Sequence, residues 1–406
     1  MSGLRRKRIA ILGSGIMGSS AAIYLARRGA DVTLFDRTAV PFSAASRWNE
    51  GKILLGFLYS ADPSLGTADH ILPGSLQFKP LVEDLLAGKI DAAVTATDDI
   101  FLCHRNSVVS EAAMENYFRQ LSARVRQHPD APNYLADASS CQTQRLTSSE
   151  LTAITNSPDI VAGFRVPERS VATNWIADRF VAAIASESRI ESRMGAAVVA
   201  VRPEYAGDIT GRWQVLTDDG GHDTFDFVIN ALWEGRMAID ATAGLQPKGI
   251  WSNRYRLALF IRTAELVDVP CTIIATGPFG DIKNYNNRDF YLSWYPDGLR
   301  IDSSALEPPH PAPLDEPSRE QLCKDILSNL EGILPDVARI RSCIESMTLQ
   351  GGWVFAAGNG LLSDPQATLH GRSTYGVTRR GTYFSIDTGK YASAPWLARQ
   401  LADSLF

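Results

Sequence analysis

Apolar and polar positions along this chain fall into blocks whose period changes from strand-like to helix-like and back. Residues 9–12 form an apolar run of strand length that enters a glycine-rich turn at 13–18. Behind the turn, Ala22, Ile23, Leu25 and Ala26 recur at helical spacing, Gly29 closes that helix, and a second apolar run at 32–35 ends on Asp36. The pattern predicts strand, helix and strand within 8–37. Residues 41–59 begin small, turn polar, and end as a strand-like run at Tyr59. Leu81, Val82, Leu85 and Leu86 predict one apolar helix face, 111–125 predicts another, and 100–103 reads as a short strand between them. Residues 129–150, rich in Pro, Ser, Thr and Gln, predict a surface connection.

Further along, 163–171 predicts a strand and turn, and 175–185 a helix capped by Asn174. Strands are expected at 197–201 and 213–216, with a hairpin turn at 218–221, and at 225–231. Residues 250–302 are strand-rich and aromatic, with runs at 255–260, 272–274 and 290–295 and a loop at 277–288. The Pro-rich stretch 307–317 predicts a linker, 318–330 a helix, and 352–358 a strand into a turn. Residues 383–390 predict a strand and Gly turn that lead into a last helix at 395–404. No fixed-period repeat or coiled-coil pattern is visible in the sequence.

The first block carries chemistry. Gly13 permits a tight turn out of the strand, Gly15 lets backbone approach a pyrophosphate, and Gly18 lets the helix pack on the sheet. The helix N-terminus offers free N–H groups and a positive dipole end to phosphates. Asp36, at the end of the second strand, is placed to accept hydrogen bonds from a ribose. This is a βαβ unit of dinucleotide-binding type, which by itself serves FAD and NAD equally.

Composition narrows the picture. A chain of 406 residues suggests two domains. With 40 basic and 45 acidic residues the net charge is −5, which suggests no nucleic-acid partner. The basic run Arg5, Arg6, Lys7, Arg8 precedes only four apolar residues, too short for a signal-peptide core, and reads as a solvated strand entrance. Cys103, Cys141, Cys271, Cys323 and Cys343 are scattered and odd in number, so neither a disulfide framework nor a zinc site is expected, and a reducing cytoplasm fits. No run approaches eighteen apolar residues, so no membrane span is expected.

The glycine signature, Asp36-Arg37, and the segment Ala45-Ser46-Arg47-Trp48-Asn49-Glu50-Gly51-Lys52 together resemble the D-amino-acid oxidase family of FAD-dependent oxidoreductases, which includes glycine and sarcosine oxidases and D-amino-acid dehydrogenases. Hydroxy-acid-oxidising relatives carry Ile-His-x-Gly after this segment, where this chain has Leu54-Leu55-Gly56. The family's Asn-Ala-x-Gly at the end of a returning strand is here Asn230-Ala231-Leu232-Trp233. The resemblance implies an α/β fold: a Rossmann-type FAD-binding domain with an inserted substrate domain, built on an antiparallel or mixed sheet with helices. It implies FAD-binding segments at 1–75, 166–235 and 351–406, a helical and substrate-domain segment at 76–165, and a substrate sheet at 236–350.

It also implies non-covalent FAD, since no cysteine matches an attachment position. The cofactor-binding residues would be Gly13, Gly15, Ile16, Met17, Gly18, Asp36, Arg37, the stretch Ala45, Ser46, Arg47, Asn49, Glu50, Gly51 and Lys52, then Val198, Ala231, Trp233, Thr388, Gly389 and Lys390. The implied activity is oxidation of a C–N bond in an amino acid or secondary amine, with oxygen or another carrier taking the electrons. Oxidation of a 2-hydroxy acid and flavin binding without turnover are alternatives on the same scaffold.

Because the flavin accepts the hydride, no nucleophile triad or metal cluster is needed. A carboxylate substrate calls for an arginine fork. Arg47, Arg256, Arg288, Arg372 and Arg380 are candidates, with Arg288 favoured by its aromatic neighbours Tyr291 and Tyr295, and Arg372 by its place before the last flavin segment, so Arg288, Tyr291, Tyr295, Arg372 and Lys52 form the expected catalytic set. Lys52 and Lys390 are candidates for a positive charge beside the flavin. His370, though in the same region, reads as structural.

Overall fold

The computed structural model describes residues 6–406, so Arg5 of the basic run lies outside the described residues. The strand Arg8–Leu12, the helix Ile16–Arg27 and the strand Asp31–Asp36 form the expected βαβ unit. They seed a six-stranded sheet in the order Ile190–Met194, Asp31–Asp36, Arg8–Leu12, Phe227–Asn230, Tyr383–Asp387, Gly376–Arg380. Its first four junctions are parallel and the last is antiparallel. Parallel strands inside a sheet are covered on both faces, and Arg8–Leu12, Asp31–Asp36 and Phe227–Asn230 are accordingly mostly apolar, whereas the edge strand Ile190–Met194 is largely polar. Ala21, Ala22, Ile23, Leu25 and Ala26 are buried on the first helix, whose small side chains let Ala394–Leu405 and Thr173–Ser186 pack beside it. A three-stranded antiparallel meander of Val198–Pro203, Trp213–Thr217 and His222–Phe225 adjoins this sheet through a shared core around Trp213 and Phe225.

The second body is a nine-stranded sheet. Its order is Leu299–Ser303, Ser252–Thr263, Asp289–Trp294, Gly280–Asn284, Thr272–Ala275, Asp99–His104, Ile160–Val166, Gln144–Arg145, with Ile344–Ala356 also paired along Ser252–Thr263. Side chains alternate between its faces. Leu257, Leu259, Ile261, Phe290, Leu292, Ile282, Ile100 and Leu102 share one face and pack on Leu322, Ile326 and Leu330 of the helix Glu316–Ile333. Burial of each such side chain stabilises by about 1.5–3 kcal/mol. Cross-strand register places Arg254, Arg256, Tyr291, Ser293, Asp281, Lys283 and Asp99 on the opposite face, which looks toward the nucleotide sheet.

Three local expectations need correction, and one helix carried no sequence signal. Residues 277–288 are not one loop: Gly280–Asn284 is an interior strand of the large sheet. Its polar residues read as loop, but Lys283 is fully buried and its ammonium lies 2.5 Å from Asp99 Oδ2. The helix expected from 175 begins earlier, at Thr173, and Asn174 therefore lies inside it rather than capping it. The run ending at Tyr59 is strand only at Lys52–Ile53 and then turns as Phe57–Tyr59. A helix at Gly66–Leu76, with Pro73 inside it, had no periodic signature. Among the described residues, no helix is long and apolar enough to cross a membrane.

The Lys283–Asp99 pair gives a stability test. Lys283→Met leaves the Asp99 carboxylate buried alone and is expected to cost about 3–5 kcal/mol, read as a fall in the urea unfolding midpoint. Replacing both partners, as Lys283→Met with Asp99→Leu, should recover part of that loss. Equal destabilisation by the single and double variants would show that the pair is not the cause.

Candidate active site

A cavity of about 580 Å³ runs from the glycine loop to the charged face of the large sheet. At its first end Gly13 has φ +94°, and a Cβ there would lie 2.9 Å from Ala231 O. A Cβ on Gly15 would lie 2.7 Å from Ser46 Oγ, the atom that accepts a hydrogen bond from Ile16 N at 3.0 Å. Asp36 Oδ2 accepts from Ser14 N at 2.7 Å and Ser14 Oγ at 2.6 Å, and Oδ1 accepts from Thr38 N at 2.9 Å and Thr38 Oγ1 at 2.8 Å. The carboxylate thus first holds the glycine loop in shape. A ribose hydroxyl would take the place of a Ser14 or Thr38 hydroxyl, both of which can rotate.

Of the residues expected at the cofactor, Gly13, Gly15, Ile16, Met17, Asp36, Arg37, Ala45, Ser46, Asn49, Glu50, Lys52, Val198, Ala231, Trp233, Thr388, Gly389 and Lys390 line this cavity. Gly18, Arg47 and Gly51 do not. Gly18 sits under the loop, where a Cβ would meet Gly13 O at 1.8 Å. Arg47 turns outward to Asp178, 2.7 Å away on the helix Thr173–Ser186. Gly51, at φ +67°, passes so close to Val171 O that a Cβ would lie 1.9 Å from it. Trp233, standing where the family has glycine, donates its indole N–H to Trp353 O at 2.7 Å and so ties the nucleotide sheet to the large sheet. Gly352 permits the same approach, since a Cβ would lie 2.7 Å from Ala45 Cα.

The far end gathers the titratable groups. Arg256, Tyr291, Glu50, Lys52 and Lys390 line it. Lys52 Nζ lies 2.6 Å from Asp281 Oδ2, and Ser293 donates its hydroxyl to Asp281 Oδ1. Burial works against the Lys52 ammonium, but the Asp281 and Glu50 carboxylates outweigh it and its pKa is raised. Glu50 is pulled the other way: burial would raise it, yet the charges of Lys52, Lys390 and Arg256 hold it below the usual range. Lys390 has the Tyr59 ring 5.5 Å from its amine, and burial followed by repulsion from Arg372 pushes it down to about 7. The guanidinium of Arg256 lies over the Tyr295 ring at 4.5 Å, with its Nε buried and unbonded.

The expected catalytic set is therefore only partly brought together. Lys52 and Tyr291 reach the cavity. Arg288 does not: it sits in the turn between Gly280–Asn284 and Asp289–Trp294, because the segment before it is strand and carries it to the sheet's end. Tyr295 lies behind Arg256, and its hydroxyl accepts from Arg254 Nη1 at 2.9 Å. Arg372 lies beside Tyr59 and donates to Phe355 O at 3.1 Å, just outside the lining. Arg380 donates from Nη1 to Gly244 O, away from the site. His370 contacts its own loop through Asp364 O, in keeping with a structural role.

Sequence reasoning missed Asp281, Asp99 and Glu168. Asp281-x-Lys283 and Arg254-x-Arg256 both carry the two-residue spacing that puts charges on one strand face, which was the available signal. Glu168 gave none. It is 1% exposed, and its Oε1 accepts from the backbone N–H of Leu55 at 2.5 Å, Gly56 at 3.0 Å and Phe57 at 3.3 Å, so it shapes the turn that follows Lys52–Ile53.

Glu168 carries a pH prediction. Burial, then the Asp99 carboxylate, raises its pKa from 4.5 to about 7. The folded protein then holds this proton after the unfolded chain has released it, so its stabilising effect is full below about pH 4.5 and is lost as pH rises through 7, by roughly 3 kcal/mol. Glu168→Gln keeps an acceptor for the three N–H groups without the titration. Unfolding midpoints compared from pH 4.5 to 8 should show the wild type losing stability relative to Glu168→Gln. Parallel profiles would contradict this.

Comparison with known proteins agrees with this geometry. A family model described as FAD dependent oxidoreductase matches residues 8–403. The fold is similar to that of glycine oxidase from Geobacillus kaustophilus, at 15% identity and TM-score 0.67 over 98% of this chain and 94% of that one. It is similar to L-proline dehydrogenase from P. horikoshii, at 14% identity and TM-score 0.67 over 99% and 93%. It is also similar to iminodiacetate oxidase from Chelativorans sp. BNC1, at 16% identity and TM-score 0.66 over 98% and 95%. The glycine cradle, the carboxylate at the ribose position and the long cavity fit FAD, and the chain belongs to the D-amino-acid oxidase family of FAD-dependent oxidoreductases.

Proposed function

We propose that the protein oxidises a carbon–nitrogen bond in an amino acid or a carboxylate-bearing secondary amine. The observation that carries this reading is the placement of the Arg256 guanidinium and the Lys390 amine at one end of the FAD cavity. Bound FAD supplies the acceptor for the hydride that leaves the substrate carbon. Everything else falls to the chain's own side chains. Arg256 is a fixed fork for the substrate carboxylate, held flat on Tyr295. Glu50, kept anionic by the surrounding cations, draws an ammonium group inward.

An amine arrives protonated and must shed a proton before its nitrogen can support loss of the C–H bond. Lys390 Nζ, neutral above about pH 7, is the group that takes this proton. Tyr291 stays un-ionised, since burial raises its hydroxyl far above neutrality, and it serves as a donor. The resulting imine is hydrolysed by water, and the electrons pass to oxygen or to another carrier. The Leu54-Leu55-Gly56 turn offers no histidine base for a hydroxy acid, which favours the amine.

The direct test adds amino acids and N-methyl amino acids to the holoenzyme without oxygen. One of them should bleach the flavin absorbance, and failure of the whole panel would remove the reading. Arg256→Met should weaken substrate binding about 100-fold, the loss of two charge-assisted hydrogen bonds. In the wild type the rate of bleaching should rise with pH through an ionisation near 7 and then level. Lys390→Met should lose that ionisation and slow the step by roughly 100-fold or more. An unchanged profile would exclude Lys390 as the proton acceptor. No cysteine lines the cavity, so acid precipitation should leave the yellow colour in solution. Colour retained on the pellet would mean a covalent link.

A further inference from the structure

Two lysines enter the far end of the cavity, and their surroundings differ in one respect. Lys52 has a carboxylate in direct contact, Asp281 at 2.6 Å, and both side chains are only 9% exposed. Lys390 has an aromatic ring instead. The charged groups that bear on Lys390 are Arg372, Arg254 and Lys52, with Glu50 as the opposing charge.

The carboxylate at Lys52 is itself fixed. Asp281 stands on the interior strand Gly280–Asn284, where backbone pairing on both sides sets its direction. Ser293, opposite it in register, donates to Oδ1. Lys283, two residues on and on the same face, adds a second positive charge near it, and Asp99 in turn neutralises Lys283. The result is a row of alternating charges in which Lys52, from the separate strand Lys52–Ile53, meets Asp281, Lys283 and Asp99 of the large sheet. Of these four, Lys52 is the one that lines the cavity.

We propose that Asp281 is a positioning residue: its 2.6 Å ion pair fixes the Lys52 ammonium at the reacting end of the cavity, and that cation sets how readily bound FAD accepts electrons.

A buried lysine without a carboxylate in direct contact is pushed toward its neutral form, as Lys390 is. Burial disfavours Lys52 in the same way, and the partners that reverse this are Asp281 first, then Glu50 and Asp99. A cation in a site closed to water stabilises negative charge that develops beside it far more than the same cation in solvent. Dividing the two tasks between Lys52 and Lys390 leaves one cation in place whichever protonation state Lys390 adopts. The inference rests on the redox chemistry lying at this end of the cavity, as the proposed function has it.

The test reads the midpoint potential of FAD in the holoenzyme by dye equilibration across about pH 6 to 10. It needs no substrate, so it stays informative even if no amine bleaches the flavin. Asp281→Asn should add an ionisation absent from the wild type. Below that ionisation Lys52 is an uncompensated cation and the potential lies above wild type, and above it Lys52 is neutral and the potential lies below. Asp281→Glu should restore the wild-type profile. Lys52→Met should lower the reduced-to-oxidised ratio at a fixed solution potential by roughly tenfold or more, with no added ionisation. A wild-type profile in Asp281→Asn, even with weaker FAD binding or a lower unfolding midpoint, would reduce Asp281 to a structural role and overturn the proposal. If that variant yields no holoenzyme, an unchanged potential in Lys52→Met overturns it equally.

Discussion

A sheet covered on both faces leaves a charged side chain no route to water. The central strands of the large sheet are covered in this way, with the Glu316–Ile333 helix against one face and the cavity and nucleotide sheet against the other. Each charge placed on the inner face needs a partner within the protein or in what the cavity binds. Lys283 answers to Asp99 and Lys52 to Asp281. Arg254 answers in part to the Tyr295 hydroxyl. Arg256 keeps a buried Nε with no hydrogen-bond partner and lines the cavity.

The first forty residues were legible because local and global signals agree there. Three glycines are each required by a close backbone approach, an alanine-rich helix must pack under other helices, and an acid ends the second strand. The C-terminal strand, Gly turn and helix were readable for the same reason. The segment 280–284 was not. Asp281, Lys283 and Asn284 are residues of low strand propensity, and partners from distant stretches, Asp99 for Lys283 and Lys52 for Asp281, make the burial of the two charges tolerable. No window of sequence around 280 contains those partners. Arg288 shares the gap: its aromatic neighbours suggest a site only if 280–284 is loop, whereas it stands at the end of a hairpin.

The two bodies share a buried apolar core, in which Phe101, Phe164 and Ile273 of the large sheet join Ile11, Leu34 and Phe384, and beside it a few residues act as spacers and ties. Gly352 against Ala45 sets how near the sheets come, and the indole of Trp233 on Trp353 O fixes one edge of the gap. The replacement of a family glycine by Trp233 is thereby accommodated without crowding the glycine loop, because the ring is directed at the neighbouring strand. Glu168 adds a third tie by gathering three backbone N–H groups just past Lys52–Ile53. The distances within the site thus depend on these contacts as much as on the residues that line it.

The six-stranded sheet takes its strands from three separated stretches, 8–36, 190–230 and 376–387. A chain leaving the ribosome therefore presents its βαβ unit early, with Phe227–Asn230 still unmade and the Arg8–Leu12 edge unpaired. Tyr383–Asp387 and the closing helix Ala394–Leu405 arrive last, after the whole large sheet has been synthesised. The nucleotide fold is thus assembled around its insert rather than before it, and a tight grip on the cofactor is a late event in the life of the nascent chain.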